Sequence, residues 1–302
     1  LLDRVGLEST MAALAEGCYI PVHDYLDVAQ QYKQEKEYSI WSSIVGTIQM
    51  IRHSFYTQSY APAIDAFSRD LLHPIRITLG WDESKGESHT QKLLRSLVLS
   101  AAGLAEEATV LQEAQKRFTD HVRTKNLHPD LRAVTYMLAA RSGDQKTFNS
   151  LTKLHQEATL QEEKVRLFAA TAWFKQEKIL KEMLEFTFSD KVRSQDILIG
   201  LARSAANPQG RELTWQTVQE RWKECEERFG TARHLMSSLI KAVCSGFASK
   251  EKEKEVAEFF KKRPHIDLKQ TIDQTLESIR INTAFFNHNK ETLGTWIQQK
   301  RS

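Results

Sequence analysis

The sequence predicts an all-α protein, in which about fifteen helices stack in antiparallel pairs as a curved helical-repeat superhelix. Apolar residues recur at spacings of three and four along almost the whole chain. The 12 Gly and 6 Pro fall between these periodic segments, which indicates short connections. Pairs of roughly forty residues cannot bury their apolar faces alone but could do so by stacking on their neighbours. A compact helical bundle is the alternative.

Composition sets the class of protein. The 302 residues are 41% hydrophobic, which suffices for a large core and is near the upper limit for one domain. We therefore predict a single helical-repeat domain over residues 1–302. With 42 basic and 39 acidic residues the net charge is only +3, which argues against nucleic-acid binding. No run approaches the roughly 18 apolar residues of a membrane span.

The three cysteines, Cys18, Cys225 and Cys244, are far apart and lie in or beside apolar segments. This pattern favours buried neutral thiols over disulfides and, with no Asn-x-Ser/Thr sequon, a cytoplasmic location. The opening stretch LLDRVGLEST lacks Met and enters directly on helical periodicity. We therefore expect the chain to be part of a longer protein.

The first three helices are indicated by apolar stripes at helical spacing. Gly17 interrupts the first, Pro21 starts the second, and the third runs from Tyr38 to His53. In chain order the stripes are Leu7, Met11, Leu14 and Cys18; Val22, Tyr25, Leu26 and Ala29; and Ile40, Trp41, Ile44, Val45, Ile48 and Ile51.

Residues 60–79 form the one segment with a strand-like pattern, because Ile75, Ile77 and Leu79 alternate. Helical spacing fits equally well and no partner strand is evident, so we predict a helix. Two helices are expected next, the second over residues 105–122, and Pro129 is placed in the first turn of another. Shorter helices are predicted near residues 145–156, 160–173, 175–188 and 193–205.

Residues 207–230 carry the heaviest aromatic stripe. Asn207 is predicted to cap this helix, Pro208 to occupy its first position and Gly230 to end it. Its stripe consists of Trp215, Val218, Trp222, Cys225 and Phe229. A helix with an apolar face over residues 232–243, a charged helix capped by Ser249 and ended by Pro264, and a long segment from Leu268 to Trp296 complete the chain.

A self-contained active site is not evident. The sequence contains no HExxH, CxxC, GxSxG, GxGxxG or P-loop pattern. No two histidines are three or four residues apart, the spacing that places two imidazoles on one helical face. Cys225 could act as a nucleophile only beside a base, and its position on the aromatic stripe favours core packing. We predict no catalytic and no metal-binding residue in this chain.

Several stretches together resemble the C-terminal domain of zinc aminopeptidases of the aminopeptidase N and puromycin-sensitive type. The matching positions in the second half are Asn207, Pro208, Gly210, Arg211, Trp215 and Trp222; Phe247, Ala248 and Ser249; Phe259 and Phe260; and Ile279, Arg280 and Asn282. In the first half they are Glu37, Tyr38 and Trp41; Leu79, Gly80 and Trp81; and Leu93 to Ser96. The chain departs from the family pattern at two places: an acidic residue common near Ser9 and Thr10 is replaced, and Phe285 stands close to where many relatives carry Trp.

The resemblance implies a HEAT/armadillo-like, right-handed superhelix that caps a zinc-bearing catalytic domain and shapes a cavity for peptides. Zinc, its HExxH motif and the GAMEN loop would belong to the preceding part of the protein, and no cofactor is expected in this chain. The implied partners are the protein's own N-terminal catalytic domain and peptide substrates. The alternative function is an independent helical-repeat scaffold that binds a protein or peptide on its concave face.

Arg95, Arg211 and Arg280 are the candidate substrate-cavity residues, because guanidinium groups pair bidentately with carboxylates. The competing interpretation is that they bind helix-end carbonyls or neighbouring acidic side chains.

Overall fold

A computed structural model describes residues 2–229, 232–263 and 266–300, and it confirms the all-α prediction. These residues form sixteen α-helices and three short 3-10 helices, with no strand among them. The α-helices are α1 Leu2–Glu16, α2 Val22–Ala29, α3 Tyr38–Phe55, α4 Ala61–Leu79, α5 His89–Leu104, α6 Ala108–Thr124, α7 Pro129–Ser142, α8 Gln145–Glu157, α9 Gln161–Ala170, α10 Glu177–Phe188, α11 Ser194–Ala206, α12 Arg211–Glu220, α13 Trp222–Phe229, α14 Arg233–Cys244, α15 Lys250–Lys261 and α16 Lys269–Gln299. The 3-10 helices are Gln30–Tyr32, Thr171–Trp173 and Ile266–Leu268.

The helices group into two compact units. Unit 1 comprises Leu1–Glu113, Pro129–Val134 and Ala284–Ser302, and unit 2 comprises Ala114–His128 and Thr135–Thr283. The single domain over residues 1–302 stays a prediction. None of the described helices combines the length and apolar character needed to cross a membrane.

Unit 1 is built around α3, which packs against α1, α4 and α5. Every residue of the predicted stripes on α2 and α3 is buried, as their spacing requires. The strand-like segment is the helix α4, as predicted. Ile75 faces the core whereas Ile77 is 61% exposed, so the alternation does not mark an inner face.

The first helix differs from what its stripe suggests. α1 buries Glu8, Ala12 and Ala15. Leu7 of the predicted stripe is 55% exposed, and Cys18, expected to be buried, is only partly so. The small side chains of Ala12 and Ala15 allow α1 to lie close to α2 and α3, and the larger apolar residues are left outside.

Unit 2 consists of helices that pack on their chain neighbours and on the next pair. α8 packs against α9 and α10 against α11, in each case across a short turn. α11 lies between α9 and α14 and contacts both. This arrangement has the neighbour-to-neighbour packing expected of stacked helix pairs. The HEAT-like geometry, hand and curvature of a superhelix stay predictions.

The aromatic stretch over residues 207–230 is two helices rather than one. The backbone leaves helical geometry at Arg221, with φ −101° and ψ 20°, between α12 and α13. The stripe is nevertheless confirmed, because all five of its side chains are at most 3% exposed. The predicted helix end at Gly230 lies outside the described residues, as does Pro264.

The predicted cap at Asn207 and the helical start at Pro208 are wrong. Asn207 ends α11, residues 208–210 form a turn, and α12 begins at Arg211. The Asn207 side chain accepts only the Gln209 N–H, at 3.3 Å, which closes a local turn. By contrast Ser249 caps α15 as predicted, because its hydroxyl accepts the Lys252 N–H at 3.2 Å.

Candidate functional site

Arg95, the candidate residue in unit 1, is held in a buried ion pair. Its side chain is 2% exposed and that of Glu87 is 5% exposed. Nη1 of Arg95 donates to Oε2 of Glu87 at 2.6 Å, and Nη2 donates to Oε1. Both Nε and Nη2 also lie 3.2 Å from the carbonyl oxygen of Leu79. Arg95 therefore binds a carboxylate and a helix-end carbonyl of its own chain.

The position of that carbonyl explains two of the family-like stretches. Leu79 is the last residue of α4, where the carbonyls have no partner within the helix. Gly80 follows with φ +57°, a left-handed value that glycine adopts without strain, and its N–H donates to Arg76 O at 2.9 Å. The fold thus brings residues 79–81 and residues 93–96 together at one helix end.

Arg211 is the first residue of α12 in unit 2 and is 5% exposed. Its N–H donates to Asn207 O at 3.0 Å. The turn before it is held by Arg141, whose Nη1 donates to Gln209 Oε1 at 2.8 Å. Arg211 therefore lies at a tightly built turn rather than on an open surface.

Asn207 fastens this turn to another part of unit 2. Its side-chain amide donates to the carbonyl oxygens of Ala172 and Phe174, at 2.9 and 2.8 Å. Asn207, Ala172 and Phe174 are all fully buried, so neither water nor another group is needed to satisfy these carbonyls. The side chain joins the end of α11 to the chain just before α10.

Gly210 fits the same turn because there is no room for a side chain. A Cβ at this position would lie 2.6 Å from Ser204 O and 2.7 Å from Ser204 Oγ. Thr214 Oγ1 donates to Ser204 Oγ at 2.7 Å, which fixes the serine in place. Close approach, and not a positive φ, is the reason for glycine here.

Asn282 makes the same kind of contact as Asn207. Its amide donates to Ser245 O at 2.7 Å and to Phe247 O at 3.1 Å. The candidate Arg280 lies on the same helix, 60% exposed, and its Nε donates to Glu253 Oε1 at 2.6 Å. Of the three candidate arginines it is the one whose guanidinium faces solvent.

The two asparagine contacts share the same spacing along the chain, although Asn207 follows the end of α11 and Asn282 lies within α16. Asn207 and Asn282 each lie thirteen residues after the first residue of a helix, at Ser194 and Lys269 respectively. In both cases the two acceptor carbonyls lie five and three residues before the preceding helix, α10 or α15. We call this contact the asparagine clasp. It is a repeated structural feature that the sequence alone does not show as a repeated motif.

The aromatic family-like residues form one packed group. Trp215 and Trp222 both pack edge-on against Phe259, with ring centroids 5.0 and 5.4 Å apart, and Trp222 packs against Phe260 at 5.4 Å. The indole N–H of Trp215 donates to Glu255 Oε1 at 2.7 Å. Burial by itself would raise the pKa of Glu255, but hydrogen bonds from Lys252 and Trp215 outweigh it and lower the pKa. These residues join α12 and α13 to α15.

The two cysteines of unit 2, Cys225 and Cys244, are buried thiols as predicted. Burial raises the pKa of the Cys225 thiol to about 12, and it also raises the pKa of Cys244. Both side chains are buried and free. Thiols with raised pKa are poor nucleophiles at neutral pH, so neither residue has the character of a catalytic cysteine.

Two buried polar contacts of unit 1 were not predicted. Glu8 of α1 is 1% exposed and accepts a hydrogen bond from the Tyr25 hydroxyl at 2.8 Å. Burial and the charge of Glu8 raise the pKa of Tyr25. Asn289 of α16 accepts the N–H of Val22, the first residue of α2, at 2.8 Å. The signal in the sequence was a polar residue placed on an otherwise apolar helical face.

Comparison with known proteins supplies the family. Residues 1–281 match the family described as the ERAP1-like C-terminal domain. This chain belongs to that family.

Relatives cover nearly all of the chain. Aminopeptidase M1 of Arabidopsis thaliana is 32% identical over 96% of this chain and 34% of its own length. Aminopeptidase M1-A of Oryza sativa subsp. japonica is 28% identical over 94% of this chain and 33% of its own length. For "Aminopeptidase 2, mitochondrial" of Saccharomyces cerevisiae the values are 25%, 98% and 32%. The chain thus spans about a third of the length of the curated relatives that it matches.

Proposed function

We propose that this chain is the C-terminal helical domain of a zinc aminopeptidase that releases N-terminal amino acids from peptides. The single observation that carries the proposal is the match of residues 1–281 to a C-terminal domain family, together with relatives named aminopeptidases. In this role the domain caps the catalytic domain and shapes the cavity that receives the peptide. The family match and the named relatives favour this function over the alternative of an independent scaffold.

Under this proposal, catalysis belongs to the part of the protein that precedes this domain. This chain carries no HExxH motif, so we assign zinc to the preceding catalytic domain. Among the described residues of unit 2, two histidines are buried. His121 Nε2 shares a hydrogen bond of 2.9 Å with the Tyr136 hydroxyl, and the His155 ring packs edge-on against Phe186 at 5.4 Å.

The contribution of the domain is therefore architectural. The asparagine clasps and the aromatic group hold successive helix pairs in fixed positions, which a wall around a peptide cavity requires. Among the candidate cavity residues, Arg280 is the one with a solvent-facing guanidinium, and it is our choice for a contact with a peptide carboxylate. We place the protein in the cytoplasm because its two buried cysteines are free.

The test uses the full-length protein and chain 1–302 side by side. Zinc content is measured by elemental analysis, and turnover is measured with aminoacyl reporter substrates. We expect zinc and turnover in the full-length protein and neither in chain 1–302. An upstream coding sequence without an HExxH motif, or turnover by a clean preparation of chain 1–302, would refute the proposal.

A further inference from the structure

The first helix leaves an apolar surface uncovered. Of the seven large apolar side chains that the described residues leave exposed, three fall within residues 2–19. They are Leu2 at 86%, Leu7 at 55% and Tyr19 at 81% exposed. Single exposed apolar residues are normal on proteins, but a concentration in so short a segment marks an interaction surface.

The same helix carries a continuous stripe beside these residues. Met11 and Leu14 follow Leu7 at spacings of four and three, so they lie on one face of α1, and both are only partly buried. Helix α1 uses Glu8, Ala12 and Ala15 to pack within unit 1. The sequence thus provides α1 with two faces, and unit 1 covers only one of them.

The charge beside the stripe is acidic. Asp3 lies four residues before Leu7, is exposed, and forms no ion pair within the part of the chain that the structure describes. The one basic residue of α1, Arg4, is taken by Glu35 at 2.9 Å. A complementary surface would be apolar and bordered by Lys or Arg.

We infer that the stripe of Leu7, Met11 and Leu14 is a docking surface for the part of the polypeptide that precedes this domain in the full-length protein. About two thirds of the length of the relatives lies outside the matched region, and the family description places the matched domain at the carboxyl end. The preceding part is therefore joined to the chain next to α1. Such a tether gives it a high effective concentration at this surface, which a separate protein would lack.

This inference rests on the proposed function in one respect, the presence of a preceding domain. It adds which face of this chain that domain covers and what its contact surface should contain, an apolar patch with a basic border.

The experiment measures side-chain accessibility in the full-length protein. Leu7→Cys and, as a matched control in unit 2, Leu160→Cys are labelled with a maleimide and quantified by peptide mapping, in a Cys18→Ser background. Leu160 is 69% exposed, so both positions react fast in the absence of a partner. Each rate is divided by the rate in denaturant. We expect labelling at position 7 to be slower than at position 160 by about tenfold or more. A reduction of about tenfold corresponds to a docking surface that is uncovered for about a tenth of the time.

Equal rates at the two positions, whether both fast or both slow, would overturn the inference. Slow labelling at position 7 that becomes fast on dilution, with a matching change from dimer to monomer in size-exclusion chromatography, would assign the surface to a second copy and would also overturn it. As a second measurement, Leu7→Asp should lower the melting temperature of the full-length protein more than Leu160→Asp does.

These readouts separate the two proposals. Slow labelling at position 7 in a full-length protein without aminopeptidase activity would reject the function and keep the docking surface. An active protein with equal labelling rates would reject the docking surface alone.

Discussion

Replacement of Asn207 by Ala tests whether the asparagine clasp holds unit 2 together. The substitution removes both hydrogen bonds to the carbonyls of Ala172 and Phe174 and leaves these buried acceptors without a donor. An unsatisfied buried acceptor costs about 1–3 kcal/mol, so two of them should lower the free energy of unfolding by about 2–6 kcal/mol. A water molecule that enters the space would bring the loss toward the lower limit.

The matched control is Asn149→Ala. Asn149 is exposed on α8, where its side chain accepts one bond from Gln145 at 3.2 Å. We expect this change to stay within about 0.5 kcal/mol of the unsubstituted protein. Asn282→Ala should fall between the two, because Asn282 makes the same pair of bonds but is only partly buried.

The assay is guanidinium unfolding followed by circular dichroism, together with hydrogen exchange of residues 165–215. Hydrogen exchange is included because it follows residues 165–215 directly, whereas one global unfolding transition combines both compact units. Asn207→Ala should accelerate exchange in this segment and leave α3 unchanged. The alternative outcome is that Asn207→Ala behaves like the control, with a loss of unfolding free energy below about 0.5 kcal/mol and unchanged hydrogen exchange. That result would refute the clasp as a stabilising contact.

Three further changes probe other contacts. Arg95→Met leaves the buried Glu87 carboxylate without its partner and should lower the free energy of unfolding by about 3–5 kcal/mol. The double variant Arg95→Met, Glu87→Leu should recover much of this stability. A thermal unfolding series without such a recovery would count against the ion pair. Gly210→Ala should lower the free energy of unfolding in denaturant by about 1–3 kcal/mol. The control is Gly46→Ala, whose new Cβ would meet nothing within 4 Å and which should stabilise its helix by about 0.5–1 kcal/mol. Similar effects of the two substitutions would rule out the close approach at Gly210. Burial, and to a smaller extent Lys164, lower the pKa of His155, so the unfolded chain takes up this proton first as the pH falls. The stability that the neutral ring contributes is therefore complete above the ordinary pKa of about 6.5 and lost as the pH falls through and below it. Melting temperatures at pH 7.5 and 5.5 should differ less for His155→Gln than for the unsubstituted protein, and an equal difference would contradict this.

Helix positions were predictable from the sequence because the signal for a helix is local. The stripes on α2 and α3 are buried as their spacing indicates, and the Ser249 hydroxyl caps α15 by accepting the N–H of Lys252, three residues further on. The family-like stretches could also be found, since their order along the chain needs no knowledge of contacts.

The partners of polar side chains could not be predicted in the same way. Asn207 looked like a helix cap because the only partners visible in a sequence are its neighbours, yet its amide binds carbonyls more than thirty residues away. Arg95 was a candidate for an external carboxylate, and the structure shows that Glu87 and Leu79 bind its guanidinium. Whether Arg211 and Arg280 contact a peptide stays a prediction.

Residue spacing along the chain is enough to establish the all-α class, the apolar stripes and the resemblance to one family. The packed structure was needed for three further features: the break of the aromatic stretch at Arg221, the burial of Glu8 with Leu7 left exposed on α1, and the two asparagine clasps. A helix with two usable faces, or a side chain with several possible partners, is resolved only by the elements that pack against it.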